Sequence, residues 1–350
     1  MNDNYTRAIR FERPDYIPMR FSINDSCWHH YPKEALFELM EAHPVLFPNY
    51  KRPQDPNWMP RYALVARKDQ PYKDPMGCVW ETSDNGITGT VTGHPLADWS
   101  AFGTSWHIAD PKTSDGLYTV DWEARKKEWA KLKADGGVLR GKLRHGHTFL
   151  QLCDLRGYEN LLFDMMDEEP KLFELIEQLS DFNLQLVKNF VDAGAASIAY
   201  PEDLGMQVGP MLSQDLFQTY IKPSYMKIMK PARDAGIPIH MHSDGDVRTL
   251  LDDIVDSGVE VVNIQDLVNG IDWIAEKFRG KICVDLDIDR QAITPCGTPK
   301  QIDDLIFEEV RKIGTKDGGL LLTFGLYPGT PLENVKAVMD AMEKYAFYYS

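Results

Sequence analysis

Two imidazoles and two carboxylates crowd into seven residues of the segment IPIHMHSDGD, Ile237 to Asp246, where an apolar run ends. Strand alternation puts His240 and His242 on one face, with Asp244 and Asp246 just beyond the strand end. An imidazole beside a carboxylate can ligate a metal with at least one further partner, serve as a general acid oriented by the carboxylate, or close a structural hydrogen-bond network. For the metal reading, His242 and Asp244 need a third ligand, and Glu202, Asp203, Asp285 and Asp287 stand at neighbouring strand ends. Asp203 reads equally as a proton carrier or as an acceptor for loop amides. The run VDLDID puts Asp285, Asp287 and Asp289 on one face, where they need a cation, a hydrogen-bond network or solvent. In RHGHTF, His145 reads as a surface-loop residue, and His147 as one that faces a pocket. Tyr327, in the loop before the last helix, is a candidate phenol donor. His240 is either a satisfied core histidine or a pocket wall.

Strand ends of this kind need parallel strands. From about residue 137 onward, short β-rich runs alternate with longer amphipathic ones. The runs Val138 to Leu143, Ala196 to Tyr200, Ile237 to His242, Val259 to Ile264, Lys281 to Leu286 and Leu320 to Phe324 read as strands, with Tyr16 to Phe21 as an early one. Helical patterns lie near 171–193, 214–235, 247–257, 270–278, 299–314 and 331–346. Thr298-Pro299 with Gln301, and Thr330-Pro331 with Glu333, each read as a capping box with Pro at the first helical position. No G-x-G-x-x-G follows a strand and no Walker loop occurs, so a (β/α)8 TIM barrel is favoured over a nucleotide-binding open sheet. Residues 22–136, rich in Pro, Trp and Asp, read as a helical and loop elaboration of a single barrel domain, 1–350. Seven of the eight tryptophans fall there; Trp28 and its neighbours are either core anchors or the wall of an aromatic-binding mouth.

Composition narrows the function. With 38 basic against 53 acidic side chains the net charge is -15, which repels nucleic acid and anionic membranes. Five scattered cysteines without a C-x-x-C pair argue against a disulfide framework and fit a reducing compartment. The first residues lack an apolar signal core, and eighteen uncharged apolar residues never run together, so a cytoplasmic protein is expected.

Beyond these readings, the segments RAIRFERPDYIPM, LCDLRGYENLLFDM, EDLGMQVGPMLSQDLFQTYIKP, HSDGD and FGLYPGTPLENVKAVMDA resemble the uroporphyrinogen decarboxylase superfamily, which also contains corrinoid-dependent methyltransferases. The resemblance implies a barrel with its site at the C-terminal strand ends. The arginine-rich segment expected of the decarboxylases is reduced here to Arg20, and their histidine near GLYP falls on Phe324. The zinc-binding His-x-Cys pair of the methyltransferase branch falls on His242 and Asp244, and its later cysteine also falls on Phe324, which would then face substrate. Asp287 stands where the family usually has glycine. The HSDG-bearing subgroup is similar to the demethylating component of corrinoid O-demethylases. This implies transfer of a methyl group from a small methoxylated, aromatic molecule, with zinc as cofactor. No D-x-H-x-x-G motif occurs, so the corrinoid is expected on a separate protein; a homodimer is compatible with this. The alternative is decarboxylation of a small carboxylated substrate, using Arg20, Arg144 or Arg248.

Overall fold

The structure, a computed structural model, describes residues 3–350. Seven strands run in parallel register where their pairings are given: β1 Met19–Ile23, β2 Gly141–Lys142, β3 Ile198–Pro201, β4 Ile239–Ser243, β5 Val261–Gln265, β6 Cys283–Asp287 and β7 Leu320–Leu326. Each corresponds to a run read as a strand from sequence. The chain forms two compact units, and β5 contributes Val261 and Val262 to one and its last three residues to the other.

The first unit holds residues up to Pro71, Glu81–Thr90 and Asn263–Ser350. Here β7 lies between β1 and β6, with Met19 beside Leu322, Ile23 beside Leu326, and Val284 beside Leu320. All five residues of β6 are buried, the continuous burial of a parallel strand covered on both faces. Helix Pro299–Ile313 starts on the expected capping box: Thr298 accepts from the Gln301 amide, and the Gln301 side chain accepts from the Thr298 N–H. The second expected box does not form. Helix Leu332–Ala346 begins after Pro331 with no side-chain cap, and the Thr330 carbonyl instead accepts from Tyr31 Oη at 2.7 Å.

The second unit holds Tyr72–Trp80 and Val91–Val262. In it β3 lies between β2 and β4, with Gly141 beside Ile198 and Pro201 beside His242. Helix Pro170–Asp192 buries Leu172, Leu175, Leu179, Phe182, Leu186 and Phe190, the three-and-four spacing that makes one apolar stripe. Glu169 caps it and Pro170 opens it. The pattern near 214–235 resolves into a short helix Gln214–Leu216 capped by Ser213, a π-helical turn Phe217–Ile221, and helix Lys222–Asp234.

Within residues 22–136 the sequence shows no clear periodicity, yet an antiparallel hairpin forms: Tyr72 pairs with Trp80, and Lys73 with Val79. Helix Trp122–Ala134 also forms there, burying only Trp122 and Trp129 and so giving the sequence no amphipathic stripe. Trp80, Trp106, Trp122 and Trp129 are buried, and three of their indole N–H groups find acceptors in Asp74, Met76 O and Pro111 O. These are packing anchors with satisfied polar edges. Among the described residues no helix is long and apolar enough to cross a membrane.

Candidate metal centre

The centre stands at the C-terminal ends of β2, β3 and β4. Pro201 is level with His242 across the β3–β4 pair, so Glu202 and Asp203 emerge where the imidazole does. Asp203 Oδ1 lies 3.3 Å from His242 Nε2 and 3.3 Å from His145 Nε2. It also accepts the Asp244 N–H at 3.0 Å. The donor atoms of His145, Asp203 and His242 all lie within 4.8 Å of one another. Burial pushes the Asp203 carboxyl up, but hydrogen bonds from both imidazoles outweigh it and hold the group below the usual carboxylate range. Asp203 therefore stays ionised at neutral pH.

Two glycines allow this approach. Gly245 has φ +82°, and a Cβ there would sit 2.1 Å from the carbonyl carbon of Gly205. In return, a Cβ on Gly205 would sit 2.6 Å from the Gly245 carbonyl carbon. With both side chains absent, the loop after β3 and the loop after β4 join: Gly205 N–H donates to Asp244 O at 3.1 Å, and Asp246 N–H donates to Met206 O at 2.7 Å. The join carries Asp203 to His242. The HSDG segment thus supplies the imidazole, a carboxylate and the contact that sets the opposing loop.

His242 and Asp203 come together as the sequence suggests. Asp244 is close, its Oδ1 3.8 Å from His242 Nε2, with its side chain 37% exposed. His240 shares with His242 the less buried face of β4. The assignments of His145 and His147 reverse. His147 is fully buried, beside the rings of Tyr200 and Tyr225, with Nδ1 2.7 Å from Thr148 Oγ1. Burial pushes its imidazole down to about 3, so it is neutral and out of a substrate's reach. His145, read as a loop residue, is the one that meets Asp203. No register marks it in the sequence: β2 pairs with β3 only at Gly141 and Lys142, and beyond Leu143 the next bond to β3 runs from Gly146 N–H, not His145, to Pro201 O at 2.8 Å.

Glu202, a proposed ligand, is committed elsewhere. It is fully buried; Oε1 accepts from the amides of Thr148 and Leu150 at 2.8 and 3.0 Å, and Oε2 accepts from Tyr225 Oη at 2.5 Å. Burial pushes its pKa up to about 7 against the lowering effect of these donors. It braces the turn that carries His145.

The remaining candidates lie in the first unit. Asp287 is buried at the end of β6 and accepts from Arg290 Nη2 at 2.9 Å. The Arg290 guanidinium also lies over the ring of Tyr327, which is 44% exposed. Phe324 is buried against Phe21, with ring centroids 5.2 Å apart. Trp28 is buried between Phe37 and Trp58. As core residues, Trp28 and Phe324 do not offer the aromatic wall expected of them.

The arginines needed for carboxylate binding have partners. Arg144 pairs with Asp154 at 2.6 Å and Gln151 and lies over Trp80; Arg248 grips Asp246 through two bonds of 2.9 and 2.8 Å. Arg20 donates to Thr323 Oγ1 at 3.0 Å.

Residues 148–345 match the model of the family described as uroporphyrinogen decarboxylase (URO-D). Uroporphyrinogen decarboxylase from Thermus thermophilus is 26% identical over 187 residues, 52% of this chain and 51% of the relative. The Homo sapiens enzyme is 26% identical over 181 residues, 49% of this chain and 47% of the relative. The chain spans about half the length of these curated relatives. A solved methyltransferase from Methanosarcina mazei superposes over 100% of both chains at 19% identity and a TM-score of 0.64, which shows a shared TIM-barrel-like α/β fold. The chain belongs to the uroporphyrinogen decarboxylase (URO-D) family.

Proposed function

We propose that this chain transfers a methyl group from a small methoxylated, aromatic molecule to the corrinoid of a separate protein. The convergence of His145, Asp203 and His242 carries the reading. Two imidazoles and one carboxylate, all three side chains at least partly exposed, are a donor set that would suit zinc. Zinc held there supplies a Lewis acid to the ether oxygen.

Cleaving a methyl ether leaves an electron pair on oxygen, and an aryl oxide departs poorly unless that charge is countered. Asp203, ionised, fixes both imidazoles and keeps the pocket's donors aimed at one point. Asp244 lies beside His242, its Oδ1 3.8 Å from Nε2, and the released oxide takes its proton from water. The methyl group, leaving without its bonding pair, passes to the reduced corrinoid, which is the second substrate. The same fold in a protein described as a methyltransferase supports the reading.

The competing reaction, suggested by the decarboxylase relatives, is loss of CO2 from a carboxylated substrate. Arg144 and Arg248 are already ion-paired with carboxylates of this chain, which weighs against it. The test incubates the zinc-loaded chain with methoxybenzenes and cob(I)alamin, following absorbance, while carboxylated arenes are assayed for CO2. Methylcobalamin formation is expected. Release of CO2 without methyl transfer would overturn the proposal.

A further inference from the structure

We propose that the first unit carries a second site for a divalent transition-metal ion, built from His29, His30 and Asp84. The donor atoms lie within 4.8 Å of one another. His29 Nε2 is 3.1 Å from Asp84 Oδ1, and His30 Nε2 is 2.6 Å from Asp84 Oδ2. Sequence-adjacent histidines on a short helix, Cys27–His30, ordinarily diverge, because successive helical side chains point about 100° apart. Here the two rings lie 4.6 Å apart and turn their Nε2 atoms to one carboxylate.

The carboxylate is delivered by a built loop. Asp84 N–H donates to Thr82 Oγ1, Thr82 Oγ1 donates back to Asp84 O, and Asn85 Oδ1 accepts from the Lys68 amide. Gly86 N–H donates to Ala66 O at 2.8 Å. Gly86 has φ +87°, and a Cβ there would sit 2.3 Å from the Ser26 nitrogen, so only glycine lets this loop reach the turn that opens the histidine helix. Outside the carboxylate, His29 Nδ1 lies 3.3 Å from Tyr62 Oη. Donation from Nδ1–H to that oxygen fixes the tautomer that leaves Nε2 as a ligand, the outer contact common to metal-bound histidines.

Two imidazoles and a carboxylate suit Zn²⁺, Co²⁺ or Ni²⁺ rather than Mg²⁺ or Ca²⁺. All three side chains are between 30% and 44% exposed, so the ion enters from solvent and water completes its shell.

The test titrates Co²⁺ and Zn²⁺ into the full chain carrying His145→Ala and His242→Ala, which removes the centre described above. One equivalent should bind, with visible Co²⁺ bands. Adding His30→Ala or Asp84→Ala should weaken binding by tenfold or more, and Tyr62→Phe by a smaller factor. Gly86→Ala, which removes no donor, should also weaken it. Absence of binding to the starting variant, or affinity unchanged by His30→Ala, would overturn the site. Either result is independent of whether methyl transfer occurs.

Discussion

At the scale of single residues, Asp203 and Glu202 are neighbours with opposite tasks. Asp203, hydrogen-bonded by two imidazoles, has a depressed pKa. Its stabilising contribution is fully present above its ordinary value of 3.8 and is lost as acidification passes the folded-state value. Asp203→Asn keeps the shape but loses the charge, and zinc affinity measured by competition with a chelator should fall at least tenfold. Glu202 runs the other way. Its folded-state pKa of about 7 lies above the ordinary 4.5, so between those values the folded chain holds a proton that the unfolded chain has lost. Stability therefore falls as pH rises across that window, by on the order of 3 kcal/mol in total. Glu202→Gln retains an acceptor for Thr148 and Leu150 and cannot ionise. Thermal melts of this variant at pH 5 and pH 8 should differ less than those of the parent; an equal slope would show that Glu202 does not titrate there. His242 and Asp203 were legible because both follow apolar runs. His145 was not, since β2 is only two residues long and gives no alternation from which to count. His147 was misplaced because an imidazole in a polar-looking segment resembles a ligand until burial is known.

At the scale of elements, the joined loops after β3 and β4 do the positioning. Gly245→Ala puts a Cβ into the Gly205 backbone at a positive φ. It should cost about 1–3 kcal/mol in strain and should weaken metal binding beyond what stability explains. Denaturant melts and metal titration of the same preparation check both parts. The seven parallel strands were readable, with boundaries shifted by about two residues. The run starting at Ile237 becomes β4 only from Ile239, since Pro238 has no N–H to give the ladder. The capping boxes illustrate the limits of motif reading. Thr298 and Gln301 close one as their spacing suggests, whereas near Thr330 tertiary packing against Tyr31 overrides the same pattern. The hairpin at Tyr72–Lys73 and Val79–Glu81 was hidden, because strands of two and three residues carry no period.

For the whole molecule, charge and family membership set the context. The net charge of -15 acts on any anionic substrate before contact. Turnover of a methoxybenzoate should therefore gain in kcat/KM as salt rises from about 0.02 to 0.2 M, since screening shortens the reach of that field, while an uncharged methoxybenzene should not respond. A decline with salt for the methoxybenzoate alone would point instead to a basic approach to the pocket. The barrel was legible from alternating strands and helices alone. What composition and pattern leave open is the reaction, because this family's fold serves both decarboxylases and methyltransferases. The choice falls to the side chains at the strand ends. The most direct test is a single-turnover reaction of the zinc-loaded chain, a methoxyarene and cob(I)alamin, run with the parent, His242→Ala and Asp203→Asn. The account predicts stoichiometric methylcobalamin with the parent and at least a hundredfold slower formation with both variants. Equal rates in all three would contradict it.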